Sequence, residues 1–105
     1  MGTPSSHSPS ADTAAVITLA ALPNSFPRVL DQITWSYSAA PTGGNVKVES
    51  PSGTIVHEFD ITAGGPGFIP FPRGLDGTGG AAMIITLAAG GGAVSGIINV
   101  TERNE

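Results

Sequence analysis

The chain has 105 residues, the usual size of one domain, and it contains no cysteine, which excludes disulfide, thiolate and iron–sulfur chemistry. Charged residues make up only 11% of the chain, whereas glycine and proline number 15 and 9. The net charge is −4 with four basic residues, so no nucleic acid and no membrane is expected as a partner, because both attract clustered cations. A surface this poor in charge repels other copies weakly, which favours fixed assembly.

The first twelve residues, MGTPSSHSPSAD, are rich in serine and proline and predict an extended N-terminal arm. Two interpretations stay open: a mobile terminus, or an arm that orders against a neighbouring subunit, with Pro4 and Pro9 as candidate contacts. The stretch lacks the basic region and the apolar run of a secretory signal, and no apolar run of the chain approaches the ~20 residues that span a bilayer. Synthesis as a soluble protein in the cytoplasm is therefore expected.

Short strands separated by Gly/Pro turns are expected from residue 14 onward. Residues 14–21, AAVITLAA, favour a strand over a helix, because the segment is short and prolines follow it at once. In residues 28–38, RVLDQITWSYS, apolar and polar side chains alternate. The alternation places Ile33, Trp35 and Tyr37 on the core face, with Asp31 as a misfit on that face.

Residues 45–50 and 54–62 alternate in the same way around the turn Pro51-Ser52-Gly53. They predict a β-hairpin, the clearest in the chain, whose core side chains include Phe59.

Residues 81–89, AAMIITLAA, and 93–101, AVSGIINVT, predict the last two strands, and Ile85 and Leu87 join the core. The first of these segments closely resembles residues 14–21. Either the two share an ordinary β composition, or they are equivalent strands of one sheet.

The Gly/Pro-rich segment 65–75, GPGFIPFPRGL, stands apart from these strands. A proline cannot donate to a ladder, so residues 68–71 predict an edge strand or a packed loop, and residues 72–80 predict a loop. The segment either caps one end of the domain or presents an apolar patch for subunit contact, since aromatic residues and arginine anchor interfaces. The candidate contact residues are Phe68, Ile69, Phe71, Arg73 and Leu75.

Together these elements predict an all-β fold: an antiparallel β-sandwich, jelly-roll-like, with about seven to eight strands. The expected organisation is an arm over 1–12, the sandwich over 13–101 and a polar tail over 102–105. The predicted core consists of Ile33, Trp35, Tyr37, Phe59, Ile85 and Leu87.

No catalytic, cofactor or metal site is expected. His7 falls in the arm and His57 in a strand, and neither has a second histidine at metal-ligand spacing. No Gly-x-Ser-x-Gly elbow occurs, and no glycine run continues as the Gly-Lys-Ser/Thr of a phosphate loop. The chain is therefore predicted not to be an enzyme.

Three stretches resemble segments of small β-proteins encoded among the structural genes of tailed bacteriophages. They are WSYSAAPTGG at 35–44, DITAGGPGFIPF at 60–71 and ITLAAGGG at 85–92, and the resemblance spans roughly residues 14–100. It implies a virion component. Capsid decoration (cement) proteins of phages are similar in size, are often all-β, and bind capsids as trimers or other small oligomers.

The resemblance implies a function as a virion structural protein that decorates and stabilises the capsid. Its partners would be neighbouring subunits of the major capsid protein or another virion protein, and a homo-oligomer is expected, with a trimer favoured. The expected location is the capsid surface of the virion, after synthesis in the bacterial host. Two alternatives remain: a tail, baseplate accessory or fibre-attachment domain, and a carbohydrate-binding β-sandwich module, which would need exposed aromatic side chains.

Overall fold

The computed structural model describes residues 2–9, 12–92 and 94–103. This part of the chain forms eight β-strands and one short 3-10 turn, Pro23–Ser25. The strands are β1 (Gly2–His7), β2 (Ala15–Leu19), β3 (Val29–Tyr37), β4 (Gly44–Glu49), β5 (Ile55–Ile61), β6 (Gly67–Asp76), β7 (Met83–Leu87) and β8 (Gly96–Arg103). None of the described residues belongs to a helix long and apolar enough to cross a membrane.

The strands form two four-stranded antiparallel sheets. Sheet A has the order β1-β8-β3-β6, and sheet B has the order β2-β7-β4-β5. The chain passes repeatedly between the two sheets, and its first and last strands are neighbours in sheet A, which is the double-sheet wrapping of a jelly roll. The predicted all-β, jelly-roll-like sandwich is confirmed.

The extended N-terminal arm is not confirmed. Residues 2–7, inside the predicted arm of 1–12, pair with β8 from Gly2 opposite Arg103 to His7 opposite Ile98. Proline is tolerated there because β1 is the edge strand of sheet A. Sheet A thus extends beyond both predicted limits of the sandwich, residues 13 and 101. Residues 1, 10, 11, 104 and 105 lie outside the described residues.

The core lies between the two sheets and consists mainly of aliphatic side chains. Of the predicted core residues, Ile33, Tyr37, Ile85 and Leu87 are buried, while Trp35 and Phe59 are half-buried and pack against the buried cluster. The side chains with no exposed surface include Leu30, Ile33, Val46, Val48, Met83, Ile85, Leu87 and Ile98.

A β-bulge in β3 changes the predicted alternation at its start. The register shifts between Leu30 and Gln32 toward both β6 and β8. The extra residue reverses the phase of the strand, so Leu30 and Ile33 both point into the core. Asp31 lies at the bulge and is half-buried, which resolves its apparent misfit on an apolar face.

Sheet B contains both the hairpin and the pair of similar strands that the sequence indicated. β4 and β5 form the predicted hairpin, with Gly44 opposite Ile61. The two similar apolar segments become β2 and β7, which pair antiparallel from Ala15 opposite Leu87 to Leu19 opposite Met83. They are neighbouring strands of one sheet.

Candidate functional site

Strand β6 is the edge of sheet A, with β3 as its sole partner in the sheet order. Its pairing with β3 breaks between Pro70, opposite Gln32, and Leu75, opposite Leu30. Residues 71–74 therefore leave the ladder, and we call them the β6 bulge. Gly74 has φ +79°, a left-handed conformation that favours glycine, where the chain rejoins β3. The predicted loop over 72–80 is wrong for residues 72–76, which belong to the strand.

The β6 bulge surrounds a shallow cavity of about 380 Å³, lined by Pro70, Phe71, Pro72, Arg73 and Gly74. Arg73 is exposed and makes no hydrogen bond or ion pair with any residue that the structure describes. Arg28 differs, because its Nη1 lies 2.7 Å from Glu102 Oε2. The bulge thus carries an unpaired cation amid apolar side chains.

Aromatic rings fill the space between the edge strands β5 and β6. The Phe71 ring lies edge-on to His57, with centroids 5.3 Å apart, and His57 lies 5.6 Å from Phe59. Phe59 in turn contacts Trp35 at 5.0 Å. His57 Nε2 is buried among these rings and has no hydrogen-bond partner within the described residues.

The structure divides the predicted contact residues among three environments. Phe68 and Arg73 are exposed on β6. Ile69, Phe71 and Leu75 are half-buried and pack against the core, as the inward side of the same strand. Pro9 follows β1, across sheet A from β6, and the side chain of Pro4 lies outside what the structure describes. β6 and β1 are opposite edges of the sheet, about 14 Å apart at ~4.8 Å per strand.

A second site lies on the outer face of sheet A, at the start of β6. Because Ile33 and Tyr37 point into the core, Thr34 and Ser36 point outward. Thr34 lies between Phe68 on β6 and Asn99 on β8, and cross-strand partners share one face. Phe68 and Asn99 are both exposed.

The opening beside these residues, which we call the Gly67 pocket, measures about 360 Å³. A Cβ on Gly67 would lie 2.3 Å from atoms of the Trp35 indole, so the indole lies directly against the backbone of Gly67. The pocket is lined by Thr34, Trp35, Ser36, Pro66, Gly67, Phe68 and Asn99, none of which is charged. The sequence pattern does not reveal this pocket, because its residues come from three strands and only the glycine before Phe68 marks it.

Neither a cluster of metal-ligating side chains nor a shifted pKa indicates a further site among the described residues. The described residues contain no group of three His, Asp or Glu side chains close enough to hold a metal ion. Tyr37 donates a hydrogen bond from its hydroxyl to the Ala88 carbonyl at 2.7 Å, and burial raises its pKa.

Comparison with known proteins shows similarity in fold alone. No protein-family model matches the chain, and no curated protein sequence matches it. Among solved structures, the acid-stable capsid of Helicobacter pylori bacteriophage KHP30 contains a chain similar to this one, with TM-score 0.56 and 11% identity, covering 97% of this chain and 86% of that one.

Two proteins with other activities share the same fold. The CBM36-1 domain of a multidomain xylanase from the hindgut metagenome of Trinervitermes trinervoides has TM-score 0.53 and 10% identity, covering 95% of this chain and 77% of its own. The Yersinia pseudotuberculosis-derived mitogen has TM-score 0.51 and 8% identity, covering 100% of this chain and 89% of its own. At such identities the comparisons define a jelly-roll class and no activity, because one fold carries many functions.

Proposed function

We propose that this chain is a virion structural protein that decorates a phage capsid and docks on it through the β6 bulge. The observation that carries this proposal is Arg73, an exposed and unpaired cation set among Pro70 and Pro72 on the edge strand β6. A guanidinium group binds a carboxylate in a planar, two-point geometry, and apolar neighbours exclude water from that contact. The occupant of the bulge is accordingly a capsid-subunit surface that presents a carboxylate beside apolar side chains.

A virion location is the expectation that the sequence resemblance implies, and one of the three resembling segments, 60–71, runs into the β6 bulge. The fold is also similar to a chain of the KHP30 capsid. Each bulge is small, so a homo-oligomer, with a trimer favoured, would dock several copies at once and gain affinity by avidity.

The mechanism proposed is stabilisation by mass action. A protein that binds assembled subunits and not separated ones favours the assembly by RT ln(1 + [L]/Kd), about 2.7 kcal/mol at a hundredfold excess over Kd. No reacting group is required for this function.

The first test is to purify virions of the phage that encodes this chain and search them for its peptides. Virions from a deletion strain should contain no such peptides and should release DNA at a lower temperature. Absence of the protein from wild-type particles would overturn the proposal. Its location on the tail rather than the capsid would replace decoration with the tail or baseplate alternative.

The second test compares two charge-removing variants added back to deletion particles. Arg73→Ala should raise the Kd for the capsid about tenfold, the loss of ~1.4 kcal/mol of contact free energy, measured as capsid occupancy over a range of protein concentrations. Lys47→Ala removes the same charge from β4, on the other sheet, and should bind as the unchanged protein does. Equal occupancy of the two variants would show that the bulge does not dock.

A further inference from the structure

We propose that the Gly67 pocket binds one ring of a neutral saccharide. This site lies on the outer face of sheet A, apart from the β6 bulge, and it does not depend on the proposed capsid docking. The physical basis is the combination, in one opening, of aromatic surface with uncharged hydrogen-bonding side chains.

The polar groups of the pocket suit a polyhydroxyl ligand. The amide of Asn99 supplies two donors and one acceptor, and the hydroxyls of Thr34 and Ser36 each donate and accept. None of the three side chains makes a hydrogen bond with the described residues, so their bonding capacity is available to a ligand. Sugar hydroxyls likewise donate and accept, and they match such a set.

The aromatic groups suit the other side of a sugar ring. Phe68 is 56% exposed and stands next to Thr34, where its ring offers an apolar surface to the C–H face of a pyranose. A small-molecule site combines apolar lining with a few placed polar groups in this way. Phe68 therefore supplies packing area while Asn99 and the hydroxyls fix orientation.

The absence of charge in the lining selects against ionic ligands. An anion moved from water into this opening would lose hydration and gain no cation from the residues that line it. The volume of about 360 Å³ lies at the lower end of the range for small-molecule sites, roughly 300–1,000 Å³. One neutral sugar ring, within a longer glycan that continues into solvent, fits both limits.

The middle of the pocket is held in place before a ligand arrives. Thr34 lies on β3, which is paired with β6 on one side and with β8 on the other. Behind it, on the core side of the sheet, the Trp35 indole is packed between the backbone of Gly67 and the ring of Phe59, 5.0 Å away. A fixed surface lowers the ordering cost of binding.

The test titrates the isolated protein with defined trisaccharides: xylotriose, cellotriose, maltotriose and tri-N-acetylchitotriose, with trigalacturonic acid as the charged probe. Saturation-transfer NMR measures binding. At least one neutral probe should bind with a Kd on the order of 1 mM, the value expected for a ligand contacting the protein through one ring. Absence of binding by all four neutral probes at about ten times that concentration, or equal binding of the charged probe, would overturn the inference.

Matched variants place the binding at this pocket. Phe68→Ala and Asn99→Ala should each raise the Kd at least tenfold, whereas Phe26→Ala, which removes another exposed phenylalanine, should not change it. Gly67→Ala should also weaken binding, because its Cβ would meet the indole at 2.3 Å on the core side of the sheet and shift the part of β6 that carries Phe68, while Gly65→Ala has no atom within 4 Å of its added Cβ and should bind normally. Unchanged affinity in both Phe68→Ala and Asn99→Ala would contradict the site.

Discussion

The two flanks of the sandwich, where edge strands of the two sheets meet, are closed by different chemistry. On the β1/β2 flank, the Val16 amide donates to His7 Nδ1 at 2.9 Å, and Arg28 donates to both the Ala20 carbonyl and Glu102. On the β5/β6 flank, tilted and edge-on rings fill the gap instead.

This difference determines which flank has binding capacity left over. The polar groups of the β1/β2 flank named above satisfy one another. The β5/β6 flank leaves Arg73 unpaired and Phe68 exposed, because rings close the core without using polar surface groups. Both proposed binding sites therefore lie along β6.

The largest effect is expected when the aromatic packing of the β5/β6 flank is removed. Phe59→Ala removes the contacts to Trp35 and His57 and should lower the free energy of unfolding by about 3 kcal/mol. Phe68→Ala removes an exposed ring of the same size and should change it by about 0.5 kcal/mol or less. Urea denaturation measures both, and equal losses would show that the rings do not close this flank.

The next largest effect is expected when the ion pair of the β1/β2 flank is removed. Arg28→Ala leaves the Glu102 carboxylate, whose side chain is 9% exposed, without its cation and should cost about 2 kcal/mol of unfolding free energy. Lys47→Ala is the matched control, with an expected change within about 0.5 kcal/mol. If urea denaturation gives the two variants the same stability, the Arg28–Glu102 pair does not hold the flank.

A smaller effect concerns Tyr37, between the two flanks. Tyr37→Phe loses the hydrogen bond to the Ala88 carbonyl and should cost about 1 kcal/mol near neutral pH. Burial raises the pKa of Tyr37, with a backbone hydrogen bond from Asn45 opposing it, so the unfolded chain ionises first, near pH 10.

The sign of the pH dependence follows from that raised pKa. Below about pH 10 the tyrosine is neutral in both states and its contribution is fully present, and it is lost as the pH rises further. The stability difference between the unchanged protein and Tyr37→Phe should therefore shrink above about pH 10. A difference that stays constant or grows under alkaline conditions would contradict the burial of this hydroxyl.

The smallest effect concerns the link between β1 and β2. His7→Ala removes the acceptor of the Val16 amide and should cost about 0.5 kcal/mol, because the bond is exposed. Hydrogen exchange at the Val16 amide should become faster, while exchange at the core strand β7 should change little. An unaltered Val16 rate would mean that His7 does not close this flank.

Local patterns in the sequence predicted much of the sandwich. Alternation and turn residues located the β4–β5 hairpin, and of the two structures that the proline in 68–71 allowed, an edge strand or a packed loop, the chain forms the edge strand. β1 could not be predicted, because a Ser/Pro-rich strand with little apolar patterning depends on pairing with β8, distant in sequence. The β3 bulge likewise depends on its neighbours, since the alternation itself continues smoothly through Asp31.

The sequence predicts the candidate sites less well than it predicts the fold. Arg73 and Phe68 were identified as candidates by residue type alone. The Gly67 pocket requires the register that places Asn99, Thr34 and Phe68 side by side, and that register is set by long-range pairing.

Image reconstruction of wild-type and deletion virions, at a resolution that resolves β6, tests the central proposal most directly. We expect difference density on the capsid surface, with the β6 bulge against a capsid subunit and Arg73 within 4.0 Å of a carboxylate, the limit of an ion pair. Difference density absent from the capsid, or a β6 bulge that faces solvent, would contradict it.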